Sequence, residues 1–428
     1  MYKVEVTKLD HQGRGIAKIN DKIIFIPNVL PCETIDVNIV LEKKKYYEGT
    51  VKEIINASDK RIKPICPYFE ECGGCQFLNM NYQDSLDYKQ NKVEEIMNKY
   101  LGIKIKINNI VACDNNLYYR NKTTFQVEND IGFFKEKTNI LIPVDKCYIS
   151  DSKINDIYKE IKNNINLTNI NQIIIRAAKK TLESMVIVKT SNYVDNKSLI
   201  DVLKNKVDSI YINDELIYGK GKIIENLCNK NFYISPSSFF QVNTVQAEKL
   251  YNKAIDYANI KKEDTVLDLY CGTGTIGIVA SDKAKKVIGV ELNREAIKDA
   301  NENKRLNNIN NIEFYAGDVG KILNKNNYKP DTIIVDPPRA GLDSLALSQI
   351  LNIKSKKLIY VSCDLMTLAR DLKLLSNDYD ILELTPVDMF PYTAHVECVS
   401  VLHRKTLKNK DFWYLAKLEK LIFCFKKW

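Results

Sequence analysis

The chain has 428 residues, 45% hydrophobic and 27% charged, the balance of a water-soluble protein of two or three domains. No apolar run approaches the roughly 20 residues that a bilayer span needs, and Met1-Tyr-Lys-Val-Glu5 reads as a strand rather than a signal peptide; a cytoplasmic protein with no membrane partner is expected. The net charge is +9, but from Arg404 onward eight Lys/Arg face two Asp/Glu, so the rest of the chain is close to neutral and charge alone does not argue for a polyanionic partner.

Residues 1–57 read as a small β-barrel of the OB type. Short strands at Lys3–Lys8, Lys22–Ile26, Thr34–Leu41 and Tyr46–Ile55 alternate with turn signals such as Gln12-Gly-Arg-Gly15. Residues 58–230 open with a loop-like stretch to residue 78 and continue as an α+β unit. Helix patterns at Asp84–Tyr100 and Asp151–Asn163 flank strand patterns at Thr123–Val127, Gln172–Ala177, Met185–Thr190 and Ser209–Ile212, and Arg176 to Val188 reads as a hairpin.

The loop-like stretch holds Cys66, Cys72 and Cys75, and Cys147 in Asp145-Lys-Cys147 is a possible fourth member. Eleven cysteines are many for a cytosolic chain, where disulfides are disfavoured, so a cluster of them points to metal or catalysis. Four thiolates suit zinc or an iron–sulfur cluster. The spacing is not that of paired C-x2-C zinc units and no histidine is near; spacing alone leaves zinc, iron–sulfur and free thiols open.

From residue 231 to 404 the rhythm changes to βα alternation. A helix at Val245–Ala258 precedes the apolar strand Thr265–Tyr270; Cys271-Gly-Thr-Gly274 then turns into a helix at Thr275. Strands at Lys286–Val290, Ile312–Tyr315, Thr332–Val335 and Lys357–Val361 alternate with helices at Arg294–Leu306, Ser344–Leu351 and Leu365–Leu375. This order predicts a mostly parallel, Rossmann-like sheet covered on both faces. Two last strands, Ile381–Pro386 and Val396–Leu402, have no helix between them and predict an antiparallel edge. Residues 405–428 form a basic tail with Leu415, Leu418, Ile422 and Phe425 on one helical stripe.

Three features of this last domain carry chemistry. The Gly-rich turn after Asp268 lets a ligand approach the backbone, and Glu291, at the end of the next strand, suits ribose hydroxyls. With Asp318 after the third strand the pattern fits an adenosyl ligand, here S-adenosylmethionine. Asp336-Pro-Pro follows an apolar strand and so faces the ligand crevice. Cys363 follows another strand and opens a helix, whose N-terminus favours a thiolate. Cys363 lies 27 residues after Asp336 and 34 before Glu397. A thiol and two carboxylates are the parts needed to methylate a pyrimidine at C5: the thiolate adds at C6, the resulting enolate attacks a methyl donor, and a base removes the C5 proton. The bland readings are a buried structural cysteine and an ordinary turn after a strand.

Together, Ser238-Phe-Phe-Gln-Val-Asn243, Asp268–Gly274, Asp336-Pro-Pro-Arg-Ala-Gly-Leu342, Val361-Ser-Cys-Asp364 with Thr367-Leu-Ala-Arg370, and His395-Val-Glu397 resemble the TRAM-domain RNA uracil-C5 methyltransferases, over residues 2 to about 404. The resemblance implies a TRAM barrel, an iron–sulfur loop, a central domain and a catalytic domain in this order. It implies Cys363 as nucleophile and Glu397 as base. It makes Gln241, Tyr270, Glu291 and Asp336 the cofactor set, Gln241 and Asp336 being candidates to touch the uracil as well. It makes Cys66, Cys72, Cys75 and Cys147 the ligands of a 4Fe–4S cluster. Phe239 and Phe240 are candidates for stacking on a flipped base, or else core residues.

The sequence departs from the family at Leu365, where proline is usual, in the length of the tail, and at Leu30-Pro-Cys32-Glu33, where glycine is usual at residue 32 and a positive φ is in question. The expected activity is methylation of a uridine in structured RNA by a monomer. Ribosomal RNA (23S) is favoured over the tRNA T-arm on the strength of the cysteines; a cytosine C5 methyltransferase and a catalytically silent RNA-binding protein are the rivals.

Overall fold

The computed structural model describes residues 2–405; the basic tail after Lys405 lies outside the described residues. Strands β1 (Tyr2–Glu5), β2 (Lys8–Leu9), β3 (Gly15–Ile19), β4 (Lys22–Ile26), β5 (Thr34–Glu42) and β6 (Tyr46–Asn56) form one sheet in the order β1-β5-β6-β4-β3-β2. Their inward side chains, among them Val4, Ala17, Ile24, Ile26, Ile35 and Val37, make a small core. Sequence pattern finds four of these strands. It misses β3 because Gly15-Ile-Ala-Lys-Ile19 follows a glycine-rich turn, yet its alternating burial is that of a half-buried strand. Cys32 keeps the left-handed turn, φ +68°, without glycine. It does so beside buried Glu33, whose carboxylate accepts from Leu30 N (2.8 Å) and Ser58 N (3.3 Å) and pairs with Arg61.

Helix α1 (Tyr82–Tyr100) and the two-residue strand β7 (Lys106–Ile107) follow. A seven-stranded sheet, β10-β9-β8-β11-β12-β13-β14, comes next. It is built from β8 (Lys122–Val127), β9 (Ile131–Phe134), β10 (Leu141–Pro143), β11 (Ile170–Ala177), β12 (Ser184–Thr190), β13 (Ser209–Ile212) and β14 (Glu215–Gly219). Helices α2 (Ser152–Asn164) and α3 (Asn196–Leu203) share a core with this sheet through Ile154, Tyr158, Leu199 and Leu203. The expected hairpin is present, with Arg176 opposite Met185. A separate hairpin, β15 (Ile223–Leu227) and β16 (Lys230–Ile234), packs on the C-terminal body.

That body contains α4 (Thr244–Ala258), β17 (Thr265–Leu269), α5 (Thr275–Ser281), β18 (Lys286–Glu291), α6 (Arg294–Leu306), β19 (Ile312–Ala316), α7 (Val319–Lys325), β20 (Thr332–Val335), α8 (Ser344–Ile353), β21 (Lys357–Ser362), α9 (Leu365–Leu375), β22 (Tyr379–Val387) and β23 (Glu397–Arg404). The sheet order is β19-β18-β17-β20-β21-β23-β22-β7. Strands β17 to β21 are parallel, and their near-continuous apolar runs reflect burial on both faces. The last two strands are antiparallel, as their lack of a helix suggests, but β22 is not the bare edge: β7 pairs with it, Glu383 opposite Lys106. Helix α1 also shares the core of this body, through Val93, Ile96 and Met97. Thus α1 and β7, expected within the 58–230 unit, lie on the C-terminal sheet.

Candidate active site

The chain runs from β17 to β18 and β19 on one side, then crosses to β20 and β21 on the other. The crevice at the carboxyl ends of β17 and β20 is therefore a topological switch point, where open α/β sheets bind ligands. The Gly-rich turn opens here. Tyr270 (φ +62°), Gly272 (φ +53°) and Gly274 (φ +80°) are left-handed. A Cβ on Gly272 would meet nothing within 4 Å, whereas one on Gly274 would strike Phe314 at 2.6 Å. The first glycine keeps space open and the second permits close packing.

Asp268 is fully buried in β17. Its Oδ2 accepts from Gly277 N (2.8 Å), while its Oδ1 and the Tyr270 hydroxyl have no partner among the described residues. Burial pushes Asp268 up to about 8, with Asp336 and Glu291 adding to it. Glu291 ends β18; its carboxylate accepts from Gly272 N (3.2 Å) and Asn293 N (2.8 Å), tying the turn to the neighbouring strand. Gln241 is buried, and its backbone carbonyl accepts from Asn121 Nδ2 (3.0 Å). An open turn with orphaned polar atoms and a carboxylate on the next strand fits an adenosyl cofactor. Asp318 caps α7 by accepting from Lys321 N (2.9 Å).

Asp336, Cys363 and Glu397 come together at the ends of three adjacent strands. Val335 pairs with Tyr360 across β20 and β21, and Ser362 pairs with Cys398 across β21 and β23. One further step along the antiparallel register sets Cys363 beside Glu397. Glu397 is 4% exposed. Burial, and then Asp336, push it up to about 8, against the opposing pull of Arg339. Burial alone lifts Asp336 to about 7.

Burial raises Cys363 to about 11, Glu397 and Asp336 adding to it and Arg339 opposing. The helix-start effect on the thiol is thus outweighed. The Asp364 side chain already caps α9, accepting from Met366 N (3.0 Å) and Thr367 N (2.9 Å), and two carboxylates stand near the sulfur. Phe240 is core, while Phe239 is 72% exposed.

Sequence reasoning missed three neighbours. Tyr251 on α4 is fully buried and feels both Asp336 and Glu397; it belongs to no motif, and helical periodicity marks it only as core. Arg339 lies inside the quoted Asp-Pro-Pro-Arg motif, where a cation next to a carboxylate was the available signal. Asn155 on α2 donates to Cys147 O (3.0 Å) and accepts from Cys147 N (2.8 Å).

Cys66, Cys72, Cys75 and Cys147 line one cavity of about 420 Å3, which also borders Phe239 and Arg120. Burial raises Cys66, Cys72 (to about 11) and Cys75, and Cys147 adds to each. The four thiols therefore face a common space. Among the described residues no group of three His, Cys, Asp or Glu is arranged to hold a metal ion. The four cysteines, expected to hold a cluster, thus share a cavity without forming such a group. Among the described residues no helix is long and apolar enough to cross a membrane.

A family model described as tRNA (Uracil-5-)-methyltransferase matches residues 81–405, and a TRAM-domain model matches residues 1–52. An uncharacterized RNA methyltransferase of Clostridium tetani is 35% identical over 440 residues, covering 94% of this chain and 96% of the relative. One from Caldanaerobacter subterraneus is 34% identical over 443 residues, covering 94% and 98%. The crystal structure of Pyrococcus abyssi tRNA (uracil-54, C5)-methyltransferase in complex with S-adenosyl-L-homocysteine matches with a TM-score of 0.78 at 29% identity, over 94% of this chain and 99% of that one. The chain belongs to the tRNA (uracil-5-)-methyltransferase family and is an S-adenosylmethionine-dependent RNA methyltransferase with an N-terminal TRAM domain.

Proposed function

We propose that the protein methylates C5 of a uridine in a folded RNA, acting as a monomer, with Cys363 as nucleophile and Glu397 as base. The observation that carries this is the strand register, which sets Cys363 beside Glu397 with Asp336 on the next strand, inside the ligand crevice. Bound S-adenosylmethionine supplies the electrophilic methyl group, and Gln241, Tyr270, Glu291 and Asp336 are the residues to hold it.

Cys363 gives up its thiol proton to solvent, its sulfur bonds to C6 of the uracil, and the electron pair of the C5–C6 double bond moves onto C5 and O4. After C5 has gained its methyl group, Glu397 takes the C5 proton; the double bond reforms and the C6–S bond breaks. Glu397 suits that task because its pKa, about 8, lies close to neutral. Extracting a base from folded RNA costs a few kcal/mol, and the exposed Phe239 ring is a surface on which to recover stacking.

Cys66, Cys72, Cys75 and Cys147 are the residues to hold a 4Fe–4S cluster. What supports this reading is that all four thiols line one cavity.

Ribosomal RNA of the 23S type is the first reading of the substrate, resting on the cysteine set. The tRNA T-arm is the second, favoured by the Pyrococcus abyssi relative, which is named for uracil-54 of tRNA. Mapping 5-methyluridine in ribosomal and transfer RNA from a strain lacking the gene tests both. Loss from 23S RNA supports the first and loss from tRNA the second; no loss from either overturns the function.

A further inference from the structure

The segment Asp388–Ala394 joins β22 to β23 and delivers Glu397. It has no regular structure, yet its carbonyls are claimed one after another by side chains or amides from elsewhere. Gln246 Nε2 donates to Asp388 O (3.0 Å), Asn243 Nδ2 to Met389 O (3.1 Å), Lys89 Nζ to Phe390 O (2.9 Å) and the Tyr119 hydroxyl to Pro391 O (3.2 Å). The amides of Gln76 and Phe77 both donate to Tyr392 O, at 2.9 and 3.0 Å, and Lys92 Nζ donates to Ala394 O (2.7 Å). Tyr392 itself is held at φ +60°.

Gln76 differs from the other anchors. It follows Cys75 directly, and its side chain bridges two loops: Oε1 accepts from Ala394 N (3.2 Å) and Nε2 donates to Gly73 O (3.2 Å). Gly73 lies between Cys72 and Cys75, and Ala394 lies three residues before Glu397. One amide therefore links the backbone of the cysteine loop to the approach of the proposed base.

We propose that Gln76 is a positioning residue for Glu397, through which the order of the four-cysteine loop sets the rate of C5-proton removal while leaving thiol addition intact. This rests on the roles proposed above for Cys363 and Glu397. If the Ala394 amide loses its acceptor, Glu397 is less well aimed at C5. The C6–S bond of the methylated adduct then persists, because elimination cannot proceed until the proton leaves.

The test uses the full chain with labelled RNA and cofactor. It compares parent, Gln76→Ala, Gln76→Met (similar length, no acceptor), Gln76→Glu (acceptor kept) and Glu397→Gln on a denaturing gel alongside turnover. The expected result for Ala and Met is a turnover loss of tenfold or more with accumulation of heat-stable methylated adduct, and a smaller loss for Glu. Turnover within twofold of the parent in Ala and Met overturns the proposal. So does a parallel loss of adduct and product, or failure of both variants to fold, either of which makes Gln76 merely structural. If Glu397→Gln itself forms no adduct while the parent methylates, the assignment of the base fails, separately from anything Gln76 does.

Discussion

Cys363, Asp336 and Glu397 are three acids at one site, where Asp336 makes Glu397 hold its proton more tightly and both carboxylates do the same to Cys363. If Cys363 supplies the covalent step, Cys363→Ala abolishes turnover and leaves adenosylmethionine binding within a few-fold of the parent, measured by calorimetry. Retention of more than a small fraction of the parent rate removes it from the mechanism. The same crowding has a pH signature. Carboxyls at about 7 and about 8 in the fold lie above their usual range, so their neutral forms suit the folded protein. Their contribution is complete below about pH 4 and is lost as pH rises through 7 to 8, because the unfolded chain ionises them freely. Glu397→Gln is therefore expected to stabilise the ligand-free protein by on the order of 2 kcal/mol at pH 8.5 and by little at pH 4.5. Equal effects at the two pH values in denaturant melts contradict that.

At the scale of elements, the sequence was most legible where local chemistry and tertiary packing agree. Arg294–Leu306 and Leu365–Leu375 match their expected bounds because Asn293 and Asp364 cap them with their own side chains. Strand Thr332–Val335 does so because all four residues are apolar or buried and a carboxylate and two prolines end it. Strand β7 was illegible: two residues carry no period, and Lys106–Ile107 is a strand only because β22 is there to pair with it. The seven-residue α7 is too short for an apolar stripe to declare itself.

Lys89 shows the same limit from the other side. In sequence it is one lysine on a helix rich in them. In the fold it is fully buried, ion-paired to Asp388, whose other oxygen accepts from the Tyr82 hydroxyl (2.7 Å). Lys89→Ala would leave a buried carboxylate without its cation and is expected to cost about 3–5 kcal/mol. Lys89→Met combined with Asp388→Asn should cost clearly less. Equal losses in urea melts would mean the pair is not what holds the segment.

Taken whole, the molecule has its cysteine cavity where the central sheet, through Cys147, meets the loop leaving the TRAM domain. Anaerobically purified protein is expected to be brown with about four irons per chain. Cys147→Ser should lower both iron content and the thermal stability of the whole chain. One zinc and no iron, with no broad visible absorption, would overturn the cluster.

The short strand β7 has a consequence for how this protein can be handled and inherited. The catalytic sheet is finished by chain synthesised 277 residues before the strand it covers, as the pairing of Lys106 with Glu383 shows. A piece cut at residue 231 would leave β22 with a row of unpaired backbone groups, the kind of edge that recruits other chains, and would lack the α1 side chains that complete its core. The methyl-transferring half is therefore not a portable cassette: any transplant, fusion or split of this protein has to carry the segment beginning at Tyr82 along with it.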